Sequence, residues 1–138
     1  MMIEQLLDQE QEAIVDVDKL SVTFGSQEVL KDITLKIPPG QTLALLGESG
    51  CGKTVLMKSI IGLVKPTVGK IEFDGENINQ LTARQLSRMR LRYGFIFQNA
   101  ALFDSMTIGQ NVAFPLRQHG RFSDNQIREM VLSRLSEV

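Results

Sequence analysis

The stretch Gly47–Thr54 reads Gly-Glu-Ser-Gly-Cys-Gly-Lys-Thr and satisfies G-x-x-x-x-G-K-[ST] at every fixed position. No other segment restricts the fold as much. The pattern marks a phosphate-binding loop (P-loop) when a strand precedes it and a helix follows. Both flanks fit. Thr42–Leu46 is a short apolar run of the kind a strand buried on both faces shows. After the loop, Met57, Ile60, Ile61 and Val64 recur at helical spacing. Strand, glycine loop and helix in that order point to an α/β fold with a P-loop NTPase core.

The residue types account for the chemistry. Gly47, Gly50 and Gly52 carry no Cβ, so the backbone can turn sharply and approach a ligand closely. The N–H groups of the loop, those of Glu48, Ser49 and Cys51 included, then converge on an anion, and the helix N-terminus adds its positive end. Lys53 is a point charge for the β- and γ-phosphates, and Thr54 offers a hydroxyl to Mg²⁺. Hydrogen bonds to charged groups contribute about 1.5–3 kcal/mol each. Micromolar affinity corresponds to only about −8 kcal/mol, so a handful of such contacts holds a triphosphate. The expected cofactors are ATP and Mg²⁺. The competing reading, a glycine-rich turn with a solvated lysine, does not explain the flanks. Cys51 sits beside Lys53 at the helix N-terminus. It is expected to react with maleimide, and bound ATP to block that reaction; the alternative is an inert small residue in a tight loop.

Composition sets the outer bounds. A chain of 138 residues suits one domain. At that size on the order of two thirds of the unfolded surface can be buried. Lys+Arg 15 against Asp+Glu 16 gives a net charge of −1, which offers no general argument for a nucleic-acid partner. The single cysteine excludes an intrachain disulfide and fits a reducing compartment. No apolar run approaches the length of a membrane span. Met1–Glu12 is acidic, lacks the basic start of a signal peptide and reads as a flexible lead-in or a short helix. Membrane contact is therefore expected only through partners.

Before the loop, Ile14–Phe24 and Val29–Ile37 read as strands joined at Gly25-Ser26, an antiparallel hairpin that Pro38-Pro39-Gly40 stops. Phe24 reads either as a core aromatic at a strand end, which position alone favours, or as a ring that stacks on adenine. Beyond the loop, Lys70–Phe73 is a short strand and Asp74-Gly75 a hairpin turn. Thr82 caps a helix to about Leu91, with Arg84, Arg88 and Arg92 on one face, either solvated or facing an anionic partner surface or lipid headgroups. Tyr93–Phe97 reads as another buried strand. It ends at Gln98, either a surface amide or a group that reaches Mg²⁺ or a water beside the γ-phosphate. Thr107 caps a short helix that Pro115 ends, and Arg117–Phe122 is a polar loop holding His119. Ser123 and Gln126 form a capping box. The stripe Ile127, Val131, Leu135 and Val138 still runs at the last residue, so the chain is expected to end inside a helix. Hydrolysis needs a Mg²⁺ carboxylate as well. Asp74 lies in a turn and Asp104 in a loop, and neither fits that role.

These residues together resemble the ATPase subunit of ABC transporters: Phe24-Gly25, Val29-Leu30-Lys31-Asp32-Ile33, Gly47–Thr54, Gly69-Lys70-Ile71, Phe73-Asp74-Gly75 and Phe95-Ile96-Phe97-Gln98. The resemblance spans about residues 14–138. It implies that Phe24 stacks on adenine, and that Gln98 touches Mg²⁺ and links the site to the membrane subunit. Lys53 and Gln98 then act in catalysis, and Thr54 and Gln98 at the metal. A narrower resemblance rests on Gln98–Thr107 and on Asn111-Val112-Ala113-Phe114-Pro115-Leu116-Arg117. These are similar to the ATPase of the maintenance-of-lipid-asymmetry (Mla) or toluene-tolerance systems, which energise phospholipid traffic between the two membranes of Gram-negative bacteria. The stretch after Gln98 faces the transmembrane subunit in that family. The implied partners are a transmembrane permease and a second ATPase subunit, on the cytoplasmic face of the inner membrane. The family's signature, Walker B acids and switch histidine are expected beyond Val138. Residues 1–138 thus read as the N-terminal part of one ATP-binding domain, cut before the later core strands. This part is expected to bind ATP without efficient hydrolysis, and to carry an unpaired sheet edge. Two alternatives stand beside this: an ABC ATPase for another cargo, such as an amino acid, and a non-transport P-loop protein.

Overall fold

The computed structural model describes residues 13–97 and 101–138. The chain divides between Gly94 and Phe95 into two compact units.

The first unit is built on an antiparallel sheet in the order β2-β1-β3-β4. β1 (Val15–Phe24) and β2 (Gln27–Ile37) form the expected hairpin, with Val15 opposite Ile37 and Phe24 opposite Gln27. Val15, Val17, Leu20 and Val22 of β1 are buried. Strict alternation fails between Val17 and Leu20, where the register shifts and Lys19 takes φ 48°. One extra residue restores the apolar side to the core face. Asp32 takes φ 49° on the opposite strand. Both N–H groups are satisfied across the hairpin, Lys19 donating to Thr34 Oγ1 at 3.1 Å and Asp32 to Ser21 Oγ at 3.0 Å.

β3 (Val68–Phe73) pairs with β1 and adds Ile71 and Phe73 to the core. Asp74 and Gly75 both have positive φ, which makes the tight turn into β4 (Glu76–Asn77). A 3₁₀ turn, Ile78–Gln80, follows. Helix α1 (Lys53–Ile60) leaves the P-loop, and α2 (Ala83–Arg90) starts from a full capping box of Thr82 and Gln85. α1 buries Leu56 and Ser59, and Met57 of the expected stripe is exposed. Apolar residues lie on more than one side of this helix, so spacing alone does not identify its packed face.

Arg90 ties α2 to the end of α1. Its Nε donates to Ile61 O at 3.0 Å and its Nη2 to Gly62 O at 2.6 Å, closing carbonyls that the helix leaves open. Arg92 lies past the end of α2, against Asp74 at 2.5 Å and over the Phe73 ring at 4.7 Å. Of the three arginines expected on one helix face, Arg84 and Arg88 are the exposed pair on α2. The Tyr93 ring packs on Phe73 with centroids 4.4 Å apart. Burial pushes its phenol well above the ordinary value, against the opposing charge of Arg92, so the group stays protonated.

Two expected strands are absent from the sheet. Thr42–Leu46 and Tyr93–Phe97 take no strand pairing, and Leu43, Leu46, Ile96 and Phe97 are exposed. An apolar run becomes a strand only where neighbours pair its backbone and cover its faces. Among the described residues no strand does so for either segment.

The second unit holds α3 (Ile108–His119) and α4 (Asp124–Leu135), each opened by a capping box, Thr107 with Gln110 and Ser123 with Gln126. Ala113 packs with Ile127 and Val131. Pro115 does not end α3 but sits inside it, and Arg117–His119 form its last turn rather than a loop. Proline removes one helical hydrogen bond. Val112, Ala113 and Leu116 pack on the α4 cluster from both sides of it and hold the helix together. Val138 lies past the end of α4, exposed, so the expected stripe stops at Leu135.

Candidate functional site

β2 fixes the position of the P-loop. Gly52 is buried at the start of α1 with φ 96°, and a Cβ there would lie 2.7 Å from Leu30 Cδ2 and 3.0 Å from Val29 O. Only glycine permits both that turn and that approach. The contact with Leu30 and Val29 was not legible in the sequence, because it joins residues far apart in the chain.

The N-terminus of α1 is open. Gly52 supplies no side-chain cap, and the first turn carries no acid. Its N–H groups are therefore left for an external acceptor, and the helix dipole favours an anion there. Lys53 folds back over the loop. Its Nζ donates to Gly47 O at 2.7 Å and Glu48 O at 2.6 Å, and lies 3.4 Å from Cys51 Sγ. The ammonium group thus closes the loop while staying above it. Among the described residues no carboxylate lies within ion-pair distance of Lys53. Ser49, Cys51 and Thr54 are exposed. Cys51 N–H, expected to face the anion, instead donates to Glu48 O at 3.4 Å. The open amides at the start of α1, a cation with no described ion pair and the exposed Thr54 suit a phosphate chain with its metal ion.

Cys51 is an exposed free thiol on this loop. Its labelling by maleimide is expected to be fast without nucleotide and to be suppressed by saturating Mg-ATP. Equal rates in both conditions would remove Cys51 from the ligand's footprint.

Phe24 is half exposed at the end of β1 rather than a core residue, so its face is open to a stacking partner. Gln98 lies outside the described residues. Asp74 is held by Arg92 in the β3–β4 turn.

The family model described as ABC transporter matches residues 30–138. The chain belongs to the ABC transporter family. Its fold class is that of ABC ATP-binding cassettes. Relatives agree. The chain is 43% identical over 124 residues to the probable ribonucleotide transport ATP-binding protein mkl of Mycobacterium tuberculosis (strain ATCC 25618 / H37Rv), covering 90% of this chain and 34% of that protein. It is 38% identical over 125 residues to the intermembrane phospholipid transport system ATP-binding protein MlaF of Escherichia coli (strain K12), covering 91% and 46%. Among solved structures, a dimeric bacterial ABC transporter cassette superposes with a TM-score of 0.79 at 29% identity, covering 88% of this chain and 56% of that one. A dimeric cassette in a post-hydrolysis state bound to ADP and Pi gives 0.77 at the same identity and coverage. The chain spans about a third to a half of the length of these curated relatives.

Proposed function

We propose that this chain is the nucleotide-holding portion of the ATPase subunit of a transporter that moves phospholipid between membranes. The observation that carries the reading is Lys53, unpaired by any described carboxylate, above the uncapped start of α1. Gly47–Thr54 take the phosphates, Phe24 takes the adenine ring, and Thr54 and Gln98 hold Mg²⁺. Bound Mg²⁺ would offset the negative charge of the terminal phosphates. Lys53 draws charge off the γ-phosphate as the bond to it breaks, and Gln98 orients the attacking water. Turnover belongs to the complete subunit, which pairs with a second copy and docks on a permease. The dimeric cassettes among the structural relatives support that pairing. Among the described residues no helix is long and apolar enough to cross a membrane, in keeping with a peripheral place at the inner face of the inner membrane.

Cargo is the finer point. MlaF is named for phospholipid and mkl for ribonucleotide, and both align over nearly all of this chain. The lipid reading rests on the segment after Gln98. In detergent micelles holding the complete subunit and its membrane partners, ATP turnover is expected to rise when phospholipid is added and to be unchanged by an added ribonucleotide other than ATP. The reverse pattern would replace the lipid reading with the nucleotide one.

A further inference from the structure

The carbonyls at the end of α1 are closed from two sources. Gly62, at φ 68°, turns the chain so that its own N–H donates to Ser59 O at 2.9 Å and Leu63 N–H to Lys58 O at 2.8 Å. No described backbone N–H reaches the next three carbonyls, those of Ile60, Ile61 and Gly62. Side chains from the end of α2 and just past it reach all three. Arg90 holds Ile61 O through Nε and Gly62 O through Nη2, and the Tyr93 hydroxyl lies 3.5 Å from Ile60 O. Leu86, one turn before Arg90 on the same face of α2, sits where a Cβ on Gly62 would meet it at 2.8 Å. A guanidinium group carries its N–H donors in one fixed plane, so Arg90 sets both the distance and the angle of this grip. Its charge also lies at the negative end of α1.

α1 has eight residues, too few to hold a helix without tertiary support. Its start rests on β2, where Gly52 meets Leu30 and Val29. Its far end rests on Arg90. About 12 Å of helix separates the two. A helix this short moves as a rigid rod, so a tilt allowed at Ile61 displaces the amides of the first turn. Those amides bind an anion well only when they converge on it.

We propose that Arg90 is a positioning residue for nucleotide binding: by fixing the far end of α1 it sets the direction in which the helix presents its first amides to the phosphates. This rests on the reading of Gly47–Thr54 as the phosphate site. Arg90 lies at the opposite end of the helix from that loop and acts only through it.

The test is steady-state ATP turnover by the complete subunit. Arg90→Ala deletes the grip, and Arg90→Lys keeps the charge but not the fork. Arg92→Ala is the control, because it breaks the pair with Asp74 and the contact with the Phe73 ring and leaves the end of α1 alone. The first-turn amides hold the phosphates before and during transfer alike, so their misalignment should raise KM and spare kcat. KM for ATP is expected to rise about tenfold in Arg90→Ala and about threefold in Arg90→Lys, and to stay within about twofold of wild type in Arg92→Ala. In all three kcat is expected to stay within about twofold. A merely structural role gives the opposite split, because a smaller folded fraction lowers kcat and leaves KM unchanged. That split in the Arg90 variants would overturn the proposal, and so would an equal rise of KM in Arg92→Ala. Should Arg90→Ala fail to fold, Arg90→Lys decides, and a wild-type KM there overturns the role. Without saturable ATP turnover in wild type, the phosphate-site reading fails and the role fails with it. Saturable wild type with an unchanged KM in both Arg90 variants removes Arg90 alone.

Discussion

Lys53→Ala in the complete subunit, assayed with its membrane partner, is expected to lower ATP turnover by about 10²-fold or more. Removing this side chain has two effects. The terminal phosphates lose their only nearby point charge among the described residues. The loop also loses the bonds from Nζ to Gly47 O and Glu48 O that draw its two ends together. Lys53→Met separates the charge from the bulk, because it keeps an unbranched stem of similar length. It is expected to fail as completely as alanine, with the thermal midpoint of the protein little changed. The lysine is partly exposed and belongs to no packed core, so its loss should spare the fold. Turnover retained in either variant would place the phosphates somewhere other than this loop.

The second large effect falls on the sheet. Gly69→Ala is expected to destabilise the 138-residue chain by about 3–5 kcal/mol, the sum of left-handed strain and a backbone overlap. Gly69 has φ 88°, and a Cβ there would sit 2.3 Å from Lys19 O and 2.6 Å from Asp18 O. Those carbonyls belong to the bulge that re-phases β1, so neither strand can give way cheaply. Gly75→Ala is the matched control. It has φ 77° but meets nothing within 4 Å, so only the strain of about 1 kcal/mol applies. The urea midpoints of the two variants separate these contributions. If Gly69→Ala cost no more than Gly75→Ala, β3 would not approach the bulge as described.

What could be read before the structure was mostly local. The capping box at Ser123 and the caps at Thr82 and Thr107 depend on residues close in the chain, and each starts a helix as expected. The β1–β2 hairpin and the Asp74-Gly75 turn depend on neighbours, and they form as expected. The P-loop is a contiguous motif, and its residues gather around Lys53. What failed depended on partners distant in the chain. Thr42–Leu46 and Tyr93–Phe97 have the composition of buried strands, but no described strand pairs with them. The bulge at Lys19 needs Thr34 and Gly69 to sustain it, and no window of sequence contains all three. Pro115 breaks a helix judged on its own, but the α4 cluster holds α3 together around it. Arg90 acts through side-chain bonds to backbone groups, which composition and periodicity do not register.

The decisive measurement is a crystal structure of the complete subunit grown with Mg²⁺ and a non-hydrolysable ATP analogue. The β- and γ-phosphates should lie across the amides of Gly50–Thr54 with the Lys53 ammonium against them and the Thr54 hydroxyl on the metal. A triphosphate bound elsewhere, with Lys53 still folded onto Gly47 and Glu48 and the start of α1 bare, would contradict the account at its root.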